Sequence, residues 1–170
     1  DPNTYDLLLE MRCPVSDQQL SDRQAQAWGA YIESSIQLET RLDELLRERT
    51  GLTLIDYHLL MLLAGAPEQR MRMSELADRM VFSRSRITYQ IDSMTKRGLT
   101  VRESAPDDRR GYRAVLTATG LKALQEAMPA HACSVRELFL DDLDSDELAC
   151  VERIFSRLRN RLGDERKVRS

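Results

Sequence analysis

Along most of this chain apolar residues return every three or four positions, and the period changes in only one stretch. From Ser16 or Ser21 onward, Trp28, Tyr31, Ile32, Ser35, Leu38, Leu42, Leu45 and Leu46 share helical spacing up to Gly51, a residue suited to closing a helix. "TLID" then has the form of a capping box, with Thr53 as N-cap and Asp56 three residues on. The second helix is predicted to run to about Gly65, ahead of Pro67. A third, short helix is expected in "MRMSELADRM", with Ser74 and Glu75 in its first turn and Leu76, Ala77 and Met80 inward. In "FSRSRITYQIDSMTKRG" Ser83 is a natural N-cap, and Ile87, Ile91 and Met94 form a stripe spaced by four and three. Lys96 and Arg97 stand where the helix dipole favours cations, and Gly98 ends the run.

After Gly98 the period becomes two. "LTVRES" and "YRAVLT" read as strands joined by "APDDRRG", whose Pro, Asp and Gly are turn formers. Thr117 or Thr119 can cap a fifth helix bearing Leu121, Leu124, Met128, Val135, Leu138 and Phe139, which Pro129 is expected to kink or interrupt. "DSDE" at 144–147 is another capping box and opens a last helix carrying Leu148, Val151, Ile154, Phe155, Leu158 and Leu162.

Composition narrows the function. A length of 170 residues suits one domain with helical extensions, and 5% aromatics leave Leu, Met, Ile and Val to fill the core. The net charge of −3 argues against indiscriminate coating of nucleic acid, yet residues 84–113 carry eight Lys/Arg against four Asp/Glu. That local +4 leaves −7 on the rest of the chain, so positive potential is focused on one segment. Cys13, Cys133 and Cys150 are widely spaced and form no CxxC, which suggests neither a disulfide framework nor a zinc ribbon and fits a reducing cytoplasm. The apolar run "LLMLLAGA" is too short to cross a bilayer, and no signal peptide is read.

No nucleophile–base pair, Gly-rich phosphate loop or paired-acid site is present, so neither an enzyme nor a cofactor is expected. His58 and His131 stand 73 positions apart, which argues against a metal. The acidic run at 141–147 lacks the glycine and spacing of a calcium loop.

Two short helices joined by "MVFS" and followed by a basic hairpin are in the order of a winged helix-turn-helix. If Ile87, Ile91 and Met94 face inward, Arg84, Ser85, Arg86, Thr88, Tyr89, Gln90 and Ser93 lie outward or on the flanks, with Asp92 toward the edge. Such a face can read a major groove, Arg pairing with guanine and Gln with adenine. The helix amides at Ser83 to Ser85 can accept a phosphate. Arg109 and Arg110 at the hairpin tip, with Arg113 behind them, then meet a minor groove or phosphate row. The plainer reading is a solvated hairpin and an ordinary polar helix face.

The segment from about Leu52 to Gly120 resembles the MarR (multiple antibiotic resistance regulator) family of bacterial transcription factors. The family's Asp-x-Arg wing leading into L-T-x-x-G stands here as "DRRGYRAVLTATG", with Asp108 and Arg110 at its Asp and Arg positions and Leu116, Thr117 and Gly120 closing it. "SELADRM" and "SRSRITYQIDSMTKRGL" match its helix pair, and with the flanking helices the similarity spans roughly 18–163. The resemblance implies a mostly α fold with a small β-hairpin wing, a winged helix-turn-helix with N- and C-terminal dimerisation helices. It also implies a cytoplasmic homodimer, usually a repressor that a small ligand releases from a pseudo-palindromic double-stranded DNA operator.

The expected organisation is an arm at 1–16, helical dimerisation regions at 17–50 and 118–163, a DNA-binding region at 52–117 intertwined with them, and a tail at 164–170. Asp108 is expected to hold Arg110 or a neighbouring donor, and either Arg109 or Arg110 inserts. Trp28, Tyr31 and His58 lie near where the family's cleft would open for a small aromatic effector, although core or dimer packing is the preferred account of them. Two alternatives stay open: a winged-helix protein-interaction module without DNA binding, and a redox-responsive regulator acting through Cys13.

Overall fold

The computed structural model describes residues 19–104 and 111–169, with side chains as far as Gly163. The chain divides into two compact units, residues 1–131 and 132–170. In the first, helix α1 spans Asp22–Thr50 and α2 spans Leu54–Ala64. Strand β1 (Arg70–Arg72), α3 (Met73–Met80) and α4 (Arg84–Lys96) follow. Strands β2 (Thr100–Ser104) and β3 (Tyr112–Leu116) lead into α5 (Ala118–Val135), whose last residues pass into the second unit. That unit continues with a π-helical stretch, Arg136–Leu140, and α6, Ser145–Arg169.

Local chemistry accounts for most of these boundaries. Ser21 and Gln24 close a reciprocal capping box on α1, and Gly51 ends it at φ 71°, a conformation glycine adopts without a Cβ penalty. Thr53 and Asp56 do the same for α2 at bond lengths of 2.9 and 3.0 Å. Asp144 accepts from the amides of Asp146 and Glu147 while Glu147 returns a bond to the Asp144 amide, which starts α6. Thr117 is the residue that starts α5: its Oγ1 accepts from the Gly120 amide at 2.9 Å.

One expectation is corrected. The sheet has three antiparallel strands in the order β1-β3-β2, not two. Arg70–Arg72 pairs with β3, Met71 opposite Ala114, so the wing is anchored to the segment that starts α3. Of the two effects expected of Pro129, a kink or a break, there is no break: α5 runs on to Val135. Pro129 and Gln125 are both exposed, so the Gln125 carbonyl deprived of an N–H partner can bond water.

The core of the first unit gathers Leu59, Leu60, Leu63, Leu76, Ile87, Ile91 and Met94, all fully buried, with Ala114 and Leu116 from β3 and Leu124 from α5. Full burial of each such side chain stabilises by about 1.5–3 kcal/mol. The apolar stripe of α4 is therefore committed to the core, and its opposite face is left outside. Among the described residues no helix is long and apolar enough to cross a membrane.

Candidate nucleic-acid interface

α3 and α4 are joined by Val81, Phe82 and Ser83. The joint is tight because Val81 takes a left-handed conformation (φ 60°, ψ 34°) and caps α3 through its amide. Ser83 caps α4, its hydroxyl accepting from the Arg86 amide at 3.2 Å. With Ile87, Ile91 and Met94 turned inward, Ser83, Arg84, Ser85 and Arg86 are exposed, and Tyr89 stands 76% exposed. The Arg86 guanidinium lies over the Phe82 ring, 3.7 Å from its centroid, which restrains the cation at the start of the helix. Thr88 is half-buried and donates to the Arg84 carbonyl.

Gln90 departs from its expected place. Its side-chain amide donates to Asp56 Oδ1 at 2.7 Å, toward the corner between α1 and α2. The reason is that a fully buried carboxylate must be met by donors, and Gln90 supplies one of them. It is thus a bound partner of Asp56 rather than an open donor–acceptor pair on the outward face.

Beside α4, the wing is fixed by ion pairs and ring contacts. Arg102 on β2 donates to Asp92 Oδ1 at 2.6 Å and lies over the Tyr112 ring at 4.6 Å. Arg70 on β1 reaches Glu103 on β2 at 3.3 Å. Arg113 is half-buried at the centre of the sheet, in register with Arg72 on one side and Glu103 on the other. Between helix and wing opens a cleft of about 330 Å³, lined by Arg72, Ser74, Arg84, Thr88, Arg102 and Tyr112 among others. The lining brings together three arginines and the hydroxyl-bearing Ser74, Thr88 and Tyr112 with no carboxylate among them, although Arg102 is held by Asp92 just outside it.

Sequence reasoning did not single out Arg72 or Arg102. Arg102 was present only as part of the local positive charge. Arg72 gave no signal, because a three-residue strand has too few positions to show a period. Asp108, Arg109 and Arg110, expected to arm the wing tip, lie outside the described residues, as does Cys13.

The aromatic residues separate into two groups. Trp28 and Tyr31 pair on α1 with ring centroids 5.7 Å apart, both partly exposed. His58 lies near Tyr57, whose ring meets that of His131 at a tilt of 48° with centroids 4.5 Å apart. Burial lowers the pKa of His58 below its ordinary value against an opposing pull from Glu39. Burial lowers His131 as well, with the charge of His58 adding to the effect. Among the described residues no three His, Cys, Asp or Glu converge as metal ligands do.

A short helix, a tight turn, a polar-faced second helix and a three-stranded wing define a winged helix-turn-helix. Residues 50–111 match the model of the MarR family. The structure is similar to AbsC, a MarR family transcriptional regulator of Streptomyces coelicolor, at 34% identity and a TM-score of 0.79, covering 86% of this chain and 99% of that one. It is similar also to Sco3205 of the same organism, a MarR family regulator solved in complex with DNA, at 32% identity and a TM-score of 0.80, over 84% and 89% of the two chains. The transcriptional regulator MhqR of Bacillus subtilis is 26% identical over 102 residues, 60% of this chain and 69% of that protein. This chain belongs to the MarR family of transcriptional regulators.

Proposed function

We propose that the chain is a homodimeric, cytoplasmic regulator that binds a pseudo-palindromic double-stranded DNA operator and acts as a repressor released by a small ligand. The observation that carries this reading is the placement of the acid-poor outer face of α4 beside the arginine-lined cleft. Ser83, Arg84, Ser85, Arg86 and Tyr89 enter the major groove in this reading, and Thr88, Arg72 and Arg102 take the flanking phosphates. Arg113 braces the wing, and Arg109 and Arg110 carry it into the neighbouring groove with Asp108 as their support.

Dimerisation is supported by apolar side chains left exposed in each unit. On α1 these are Trp28, Tyr31 and Ile36, and in the second unit Leu138, Phe139, Leu148, Ile154, Phe155 and Leu162. A monomer rarely exposes so many large apolar groups. The organisation follows from this: residues 17–50 and 118–163 pair the subunits, and 52–117 meets DNA. The Trp28–Tyr31 pair is offered as one wall of an effector site for a small aromatic molecule, with His58 as a further candidate.

Selection from random duplexes by the full chain tests the reading. An enriched, two-fold symmetric sequence is expected, bound with affinity that falls steeply with salt as counterions are released. Arg84→Ala should then weaken binding at least tenfold, about 1.4 kcal/mol, with the dimer intact by light scattering. Failure to enrich any duplex would overturn DNA recognition in favour of a protein-interaction module.

A further inference from the structure

The carboxylate of Asp56 lies at the meeting point of three helices, and its role exceeds that of a cap. It is fully buried. Oδ2 accepts from the Thr53 amide at 3.0 Å and from Arg97 Nη1 at 2.7 Å, and Oδ1 accepts from Gln90 Nε2 at 2.7 Å. The other arm of the Arg97 guanidinium donates to the Gly51 carbonyl at 2.9 Å, at the end of α1. Asp43, also on α1, accepts from the Leu54 amide at 2.7 Å. The C-terminal end of α1, the start of α2 and the second half of α4 with its cap Arg97 are thus joined by charged or polar bonds around Asp56, with Asp43 adding a further link between α1 and α2.

Spacing gives this network its mechanical meaning. Gln90 and Arg97 are seven residues apart, so they lie on one face of the α4 line, about 10 Å from each other. A single tether would let α4 pivot. Two tethers converging on one carboxylate hold both its tilt and its rotation. The hydrophobic stripe of Ile87, Ile91 and Met94 buries α4 but is tolerant of small rotations, because apolar packing is non-directional. Hydrogen bonds to a buried ion are directional, and a misplaced donor leaves a desolvated charge unmet.

We propose that Asp56 and Arg97 are positioning residues for operator recognition: they set the angle at which α4 is presented and tie it to the end of α1. The proposal rests on the reading of the chain as a DNA-binding regulator. Base discrimination depends on that angle, because side-chain contacts to base edges fail when displaced by about 1 Å. Contacts to phosphates are more forgiving.

Electrostatics and positioning give opposite signs for one substitution. Asp56→Asn removes a negative charge from the DNA-binding unit, so simple Coulomb attraction would tighten every duplex. Positioning would weaken the selected duplex alone. The experiment titrates the wild-type full chain, Asp56→Asn and Arg97→Lys against a duplex selected by the wild type and a scrambled duplex of equal length. Circular dichroism melts confirm that each variant is folded at the assay temperature. The expected result is a loss of at least tenfold for the selected duplex with Asp56→Asn, with the scrambled duplex unchanged or tighter. Arg97→Lys keeps the charge but loses the fork, and should lose at least threefold on the selected duplex and under twofold on the scrambled one. Gln90→Met, which leaves the ion pair in place, replaces Asp56→Asn if that variant does not fold, and the same selective loss is expected. A wild type that discriminates, together with folded variants that keep its specific-to-scrambled ratio, would overturn the positioning role alone. A wild type that does not discriminate would overturn the DNA-binding reading and this inference with it.

Discussion

Gly120 offers a direct test of how the wing is joined to α5. A Cβ built on this residue would overlap the Leu99 carbonyl oxygen and come within 2.9 Å of Leu116 Cδ1 and 3.0 Å of the Leu99 carbonyl carbon. The first of these is backbone, which cannot swing aside as a side chain can. Helix propensity alone predicts that Gly120→Ala stabilises α5 by up to about 1 kcal/mol. Against this stands overpacking at a rigid contact, about 1–3 kcal/mol. Relieving the overlap by moving the helix start would also disturb Thr117. Its hydroxyl reaches the Gly98 carbonyl at 2.7 Å and accepts from the Gly120 amide at 2.9 Å. Loss of such a cap costs about 0.5–2 kcal/mol. The balance is a net destabilisation of about 2 kcal/mol, or roughly 4–8 °C in Tm for a chain of this size. Urea unfolding followed by circular dichroism measures it. Gly163→Ala is the control: it also lies in a helix but has open space around it, and should be neutral or slightly stabilising. If Gly120→Ala proved as stable as the parent, the close approach of α5 to Leu99 would not constrain this position.

Other substitutions probe the turn, the wing and the histidines. Val81→Gly should raise stability by up to about 1 kcal/mol, because a branched residue at φ 60° is strained where glycine is not; a lower Tm would refute the strain. Arg102→Ala should cost at most about 1 kcal/mol, since its pair with Asp92 is partly exposed and screened, yet weaken duplex binding in fluorescence titrations. The lowered pKa values of His58 and His131 mean that the unfolded chain takes up protons more readily, so stability should fall as pH drops below the ordinary value of 6.5. His131→Phe should flatten that slope in urea titrations at pH 7 and pH 5; an unchanged slope would remove His131 from the account. Burial alone would raise the Asp56 pKa, but the Thr53 amide, Arg97 and Gln90 outweigh it and hold it below 3.8. Asp56 therefore stabilises above that pH, and its contribution should vanish as acid protonates it, with Asp56→Asn losing this part of the acid transition.

Most helices could be read directly from the chain because their signals are local. A capping box spans four residues, an apolar stripe repeats within seven, and a closing glycine sits next to the turn it makes. Ser21, Thr53, Ser83 and Asp144 start helices, and Ile87, Ile91 and Met94 are buried, as those short-range patterns require. Tertiary structure decided what depended on distant partners. Arg70–Arg72 is a strand only because β3 offers it an edge; three residues carry no period of their own. Gln90 looked like a base reader because its neighbours point outward, but Asp56, 34 positions away, claims its amide. Arg97 reaches across 41 and 46 positions to Asp56 and Gly51. The arginines of the cleft come from β1, α4 and β2 and share no motif. Sequence determines where backbone hydrogen bonds close within a turn or two, whereas the pairing of a buried charge is decided only when the folded chain brings its donors into reach.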